Sequence, residues 1–171
     1  MKQYTILLLL ALIGTSTNAQ VAVKTDAEKP KIYNPKANAE EEIHNAVVKA
    51  AKENKHVLLQ VGGNWCVWCV RFNSLVTQDV DLKKLLDDNY EIVHVNYSPE
   101  NTNEKVLMNL GYPQRFGFPV FVVLNGKGER LHTQNSGYLE DGQGHSKKKV
   151  AEFLNHWSPK ALDPKNYIKE K

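Results

Sequence analysis

The chain has 171 residues, of which 42% are hydrophobic, 9% aromatic and 24% charged. Such a composition suits one core of ordinary domain size and excludes two large domains, a collagen-like or proline-rich chain and wholesale disorder. The formal net charge is only +3, and Arg71, Arg115 and Arg130 are scattered rather than gathered into a basic stripe, so no nucleic-acid partner is expected.

The first nineteen residues read as an export signal. Lys2 supplies a positive start, Ile6 to Ile13 an apolar run, and Thr17-Asn18-Ala19 a small-residue cleavage site, with cleavage expected after Ala19. The apolar run is about half of the roughly 20 residues that a membrane-spanning helix needs. The mature protein is therefore expected in the periplasm or secreted, without stable membrane insertion. Residues 20–37 read as a tether, broken by Pro30 and Pro35 and lacking an amphipathic period. Whether Ile32 and Tyr33 dock on the domain stays open at this level. The folded domain is expected over 38–158, with a frayed tail over 159–171.

Within the domain, Asn38 followed by Glu41 resembles a capping box. Ile43, Val47, Ala50 and Ala51 then share one helical face up to about Asn54. His56 to Val61 suits a buried strand, ended by Gly62-Gly63-Asn64. A second helix starts at or just before Cys66, carrying Cys69, Phe72 and Val76 on one face, and a short one follows over Val80 to Asp88. Glu91 to Tyr97 is the next strand. Ser98 to Arg115 is polar at its start, with a helical turn around Glu104 to Leu110. Val120 to Leu124 is strongly strand-like, and Asn125-Gly126 opens a tight turn into Glu129 to Thr133. After a glycine-rich loop, Ser146 caps a last helix with Val150, Phe153, Leu154 and Trp157 on its apolar stripe. Alternation followed by a hairpin implies an α/β fold, a central mixed sheet with helices on both faces.

The chain has two cysteines, Cys66 and Cys69. A bridge across so short a loop removes little entropy from the unfolded chain and is a poor structural staple. Placed where a buried strand gives way to a helix, the pair instead suits redox chemistry. Unpaired N–H groups and the positive end of the helix dipole favour a thiolate at Cys66, and a separation of three residues keeps Cys69 within bonding reach. Cys66 is expected to lie exposed at the helix tip and attack, with Cys69 more buried and resolving the mixed disulfide. Zinc is not expected, since no second cysteine pair or closely spaced histidine pair is available. His44, His56, His94, His132, His145 and His156 read as surface or satisfied core residues.

The strand Val57 to Val61, the Trp65-Cys66-Val67-Trp68-Cys69 motif and Gly117-Phe118-Pro119 before Val120 together resemble the thioredoxin superfamily, and within it exported thioredoxin-like proteins. The resemblance covers roughly Ala39 to Trp157 and implies a thioredoxin-like fold. It also implies that Pro119 is a cis-proline lying against the disulfide and holding extended substrate, with Trp65 and Phe118 shaping the site. An aromatic residue before Pro119 suits a cis bond. Three departures stand out. Thioredoxins carry a buried Asp where this chain has Gln60, a candidate for proton-transfer tuning that can hydrogen-bond but cannot itself act as a base, so a water or another group takes the proton, or resolution is slow. Val67 and Trp68 replace a Gly-Pro pair and offer no charge to stabilise the Cys66 thiolate. Ser98 to Arg115 lengthens the path to Pro119 and is expected beside the site.

The function expected is thiol–disulfide exchange on exported proteins, more as a reductase or electron relay than as an oxidase or isomerase. The absence of charge between the cysteines places the potential toward the reducing end of a range of about −270 to −120 mV. No cofactor is needed, and a membrane-bound thiol relay is the expected partner. The competing reading is a non-catalytic module that uses the groove at Pro119 to bind peptides.

Overall fold

The computed structural model describes residues 31–168. The expected leader, the tether as far as residue 30 and residues 169–171 lie outside the described residues.

Helix α1 (Ala39–Glu53) begins where the Asn38 side chain accepts a hydrogen bond from the Glu41 N–H at 3.3 Å. Glu40, Glu41 and Glu42 occupy its first turn, where negative charge suits the helix dipole. It ends at Asn54, a left-handed residue with φ 54°. Strand β1 (His56–Gly62) is buried throughout. Helix α2 (Val67–Gln78) is followed at once by α3 (Val80–Asn89). Asp79 makes that junction: its N–H closes α2 onto Leu75, and its carboxylate caps Asp81 and Leu82 at 3.1 Å each. Then come β2 (Tyr90–Asn96), α4 (Glu104–Asn109), a 3-10 turn over Pro113–Phe116, β3 (Val120–Leu124) and β4 (Arg130–Asn135).

The main sheet runs β2-β1-β3-β4, with β1 parallel to β2 and antiparallel to β3, and β3 antiparallel to β4. Leu59 lies opposite both Val93 and Val122. Alternation sorts the two faces. Val57, Leu59 and Val61 of β1 join Val120, Val122 and Leu124 of β3 against Ala50 of α1 and Val106 and Leu107 of α4. Leu58, Phe121 and Val123 face Phe72 and Val76 of α2, Leu82 and Leu86 of α3, and Phe153 and Leu154 of the last helix, α5 (Lys147–His156). Burial on both faces explains why β1 and β3 read as continuous apolar runs.

The connections depart from expectation more than the elements do. Asn125-Gly126 does open a β3–β4 hairpin, but its loop is longer than the tight turn expected. Leu124 pairs with Arg130, so five residues intervene, and Gly128 rather than Gly126 takes positive φ, at 79°. The Asn125 side chain organises the loop by accepting from the N–H groups of Lys127 at 2.9 Å and Glu129 at 3.0 Å. The glycine-rich loop holds a 3-10 turn (Ser136–Leu139) and a small antiparallel pair, β5 (Glu140–Asp141) with β6 (Gly144–His145). Ser146 caps α5 as expected, and the basic run behind it has partners. Lys147 Nζ meets Asp79 at 2.9 Å and Asp81 at 2.6 Å, and Lys149 Nζ donates to the Glu140 carbonyl at 2.7 Å. Beyond Pro159 the chain is not wholly frayed: Pro164–Asn166 forms a capped 3-10 turn.

The end of the tether docks. Tyr33 is 2% exposed. Asn64 accepts from the N–H groups of Ile32 at 2.9 Å and Tyr33 at 3.0 Å, and Asn101 Nδ2 donates to the Pro35 carbonyl at 3.1 Å. Residues 31–37 thus form a strap laid across the carboxyl end of β1. No helix among the described residues is long and apolar enough to cross a membrane.

Candidate active site

The site is built where β1 runs into α2. Gly62 ends the strand, Gly63-Asn64-Trp65 turns the chain, and Cys66 caps the helix, its N–H bonded to the Gly63 carbonyl at 3.0 Å. Cys66 and Cys69 are joined by a disulfide. The Cys69 N–H, free because it belongs to the first helical turn, points at Cys66 Sγ from 3.1 Å. An N–H so aimed, at the positive end of a helix, favours the thiolate at Cys66 once the pair is reduced.

Cys66 is not exposed at the helix tip as expected: it is only 4% exposed, and Cys69 is fully buried. The strap and a later loop are the reason, since Ile32, Tyr33, Trp68 and Phe118 pack against the pair. These four side chains carry no charge. Val67, the other residue between the cysteines, faces solvent.

The register Val61 opposite Val120 carries Pro119 to the level of Gly62. The Phe118–Pro119 peptide is cis. Phe118 stacks on Tyr97 (centroids 4.8 Å apart, planes at 28°) and meets Trp65 edge-on (5.4 Å, 84°). Trp65, 55% exposed, is anchored by its indole N–H, which donates to the Tyr97 carbonyl at 2.8 Å. Gly63 makes this possible, because a Cβ there would lie 2.4 Å from the Trp65 indole nitrogen. The structure therefore unites Trp65, Phe118 and Pro119 and adds Tyr97, whose part the sequence does not signal beyond its place after β2. Beside Trp65, a groove of about 590 Å³ runs between Asn64, Ser98 and Glu100, so the loop after Ser98 does flank the site. Its floor includes Asn96, buried and bonded through Nδ2 to Ser98 and to the Asn101 carbonyl.

Trp68 turns inward instead. It meets the His145 ring edge-on at 5.6 Å, and the Arg71 guanidinium lies over it at 5.1 Å. His145 also meets Phe72 edge-on at 5.3 Å. Both His145 ring nitrogens are buried without a hydrogen-bond partner among the described residues, so this histidine is not the satisfied core residue expected. Burial, helped by the Arg71 charge, pushes its pKa down to about 4. It stands neutral beside the site near pH 7.

Gln60 lies under the pair, 2% exposed. Its Nε2 donates to the Tyr33 hydroxyl at 2.7 Å and to the Cys69 carbonyl at 3.2 Å. Burial drives the Tyr33 pKa well above its ordinary value, which outweighs the opposing effect of the Gln60 bond. The Tyr33 ring packs edge-on to His94 at 5.5 Å. Tyr33 and Asn64 are the site residues sequence reasoning missed. Their one signal is the docking-competent Ile32-Tyr33 pair before Pro35.

A description of thioredoxin-like domains matches residues 38–126, more than half of the chain. Among curated proteins, none matches the chain in sequence. The structure of the disulphide isomerase from Xylella fastidiosa Temecula1 is similar, with TM-score 0.66 and 23% identity over 74% of this chain and 95% of that one. A thioredoxin from Thermus thermophilus is similar with TM-score 0.52 and 17% identity, over 74% of this chain and 94% of that one. The mixed four-stranded sheet flanked by helices agrees with these likenesses, and the chain belongs to the thioredoxin-like family.

Proposed function

We propose that this protein is a thiol–disulfide oxidoreductase acting on exported proteins, working as a reductase or electron relay. The observation that carries the reading is the Cys69 N–H aimed at Cys66 Sγ from the first turn of α2. In this reading Cys66 is the attacking thiolate and Cys69 the resolving thiol. The substrate chain lies extended along Pro119, between Trp65 and Phe118. The apolar packing of Ile32, Tyr33, Trp68 and Phe118 on the pair supports the reducing direction, because none of these four side chains brings a positive charge to stabilise the reduced form.

Residues 1–19 serve as a cleaved leader that brings the domain over 38–158 to the periplasm or outside the cell, where a membrane-bound thiol relay resets the pair. Electrons reside in the cysteines, so the exchange itself draws on no dissociable cofactor.

The test has two parts. A titration of the purified chain against a dithiol buffer is expected to give a reduction potential near about −250 mV. A value near about −130 mV would make it an oxidase or isomerase instead. Cys69→Ser is expected to trap a mixed disulfide with substrate, and Cys66→Ser to abolish exchange. Should no reversible pair titrate while peptide binding survives Cys66→Ser, the protein is a binding module.

A further inference from the structure

The Gln60 amide decides where the Tyr33 hydroxyl proton points. The Cys69 carbonyl oxygen can only accept, so the atom 3.2 Å from it must be the amide nitrogen and not the amide oxygen. That nitrogen is also 2.7 Å from Tyr33 Oη. The hydroxyl therefore accepts on this side, and its own proton turns away from Gln60. Among the described residues nothing receives that proton. An ideal Cβ on Gly62 would lie 2.4 Å from Cys69 Sγ and 2.9 Å from Tyr33 Oη, so sulfur and hydroxyl converge on the space above one glycine.

We propose that Tyr33 is the hydrogen-bond donor to the Cys69 sulfur whenever that sulfur is not bonded to Cys66, and that it thereby sets how readily Cys69 resolves a mixed disulfide. The inference rests on the reading of Cys69 as the resolving thiol. In the mixed disulfide, Cys66 Sγ is bonded to a substrate sulfur and Cys69 is a buried thiol. Burial opposes its ionisation, and the apolar side chains of Ile32, Trp68 and Phe118 packed on the pair offer no relief. Cys69 gives its proton to water, and its thiolate attacks Cys66 Sγ. The Cys66–Cys69 bond forms, the bond to the substrate sulfur breaks, and the departing sulfur leaves with the electron pair and takes up a proton through water. The protein pair is oxidised by two electrons and the substrate disulfide reduced by two. The Tyr33 O–H donates to the thiolate through this step and keeps its proton, which its burial favours. The strap over residues 31–37 and its anchor on Asn64 thus bring the donor to a site whose strand supplies only a neutral amide.

The experiment uses the full reduced chain and an aromatic disulfide whose two coloured thiolates are released in turn, the first by Cys66 and the second by Cys69. In Tyr33→Phe the second release is expected to slow about tenfold near neutral pH, with its pH midpoint raised by about one unit and the rate restored at high pH. The first release is expected to change less than twofold. Replacing Tyr33 by fluorotyrosine, a stronger donor of nearly the same shape, is expected to lower the midpoint, and this arm decides the matter should Tyr33→Phe fail to fold. An unmoved midpoint in the fluorotyrosine chain, or in a folded Tyr33→Phe, would overturn the inference while leaving Cys69 as the resolving thiol. A wild-type chain that releases only one thiolate would overturn the parent reading, and the inference with it.

Discussion

Asn64 grips the backbone of Tyr33 from both sides, accepting from its N–H at 3.0 Å and donating to its carbonyl at 2.8 Å. A third bond, from the Ile32 N–H at 2.9 Å, completes the clamp. One side chain, two residues before Cys66, thus holds the segment that covers the disulfide. Asn64→Ala is expected to cost about 1–3 kcal/mol of stability, measured by denaturant unfolding, since three bonds are lost but the strap's backbone groups regain water. Alkylation of the reduced Cys66 should accelerate in the same variant. Unchanged stability together with an unchanged alkylation rate would show that the strap does not depend on this clamp.

Gly62 is the tightest point of the site. A methyl group there would collide with Cys69 Sγ and with the Tyr33 hydroxyl. Both neighbours are buried and held, the one by its disulfide and the other by Gln60. Gly62→Ala is therefore expected to destabilise the protein by about 1–3 kcal/mol through overpacking, as read by thermal or denaturant unfolding. A variant as stable as the parent would mean that the strap yields at little cost.

Acid should weaken the fold through its buried histidines. Burial lowers the pKa of His145 to about 4, and lowers those of His56 and His94 from 6.5, with a backbone bond to Trp157 opposing the shift at His56. Each binds a proton less readily when folded than when unfolded. Their contribution is full above pH 6.5 and is lost as pH falls, for His145 down to about 4. Stability measured across that window should decline, and His145→Phe should flatten the decline. The Arg71 charge adds to the His145 shift, so Arg71→Gln is expected to shrink that shift slightly. An equally steep profile in His145→Phe would assign the loss to other groups.

Trp65 is exposed, yet fixed by its bond to Tyr97 and its edge contact with Phe118. Removing it should alter recognition more than folding. Trp65→Ala is expected to weaken exchange with a protein substrate by about 1–2 kcal/mol in kcat/KM, the scale of an interface tryptophan, while exchange with a small dithiol stays nearly unchanged. Equal losses with both substrates would move Trp65 from recognition to support of the disulfide.

Much of this architecture is local and therefore legible in the sequence. Asn38, Asp79 and Ser146 cap helices with their own side chains, which requires only the next few residues. Strands β1 and β3 announce themselves because burial on both faces leaves no polar position except Gln60 and the rim residue His56. The Cys66–Cys69 pair at the start of α2 follows from a strand, a glycine turn and a spacing of three. Turns are less legible where one side chain organises several backbone groups: Asn125 does so in the β3–β4 loop, where Gly128 takes positive φ.

What the sequence determined by itself was the fold class, the order of the elements and the cysteine pair, since each depends on periodicity, capping or short spacing along the chain. Only the tertiary structure decided the character of the site. Tyr33 reaches Gln60 across 27 residues, and His145 meets Trp68 from a distant hairpin. The strap and the Phe118 loop, brought together by packing on the sheet, bury a cysteine that its helix position alone would leave open. Such contacts join residues with no periodic relation to one another, and they form only once the sheet has set the distance between the segments that carry them.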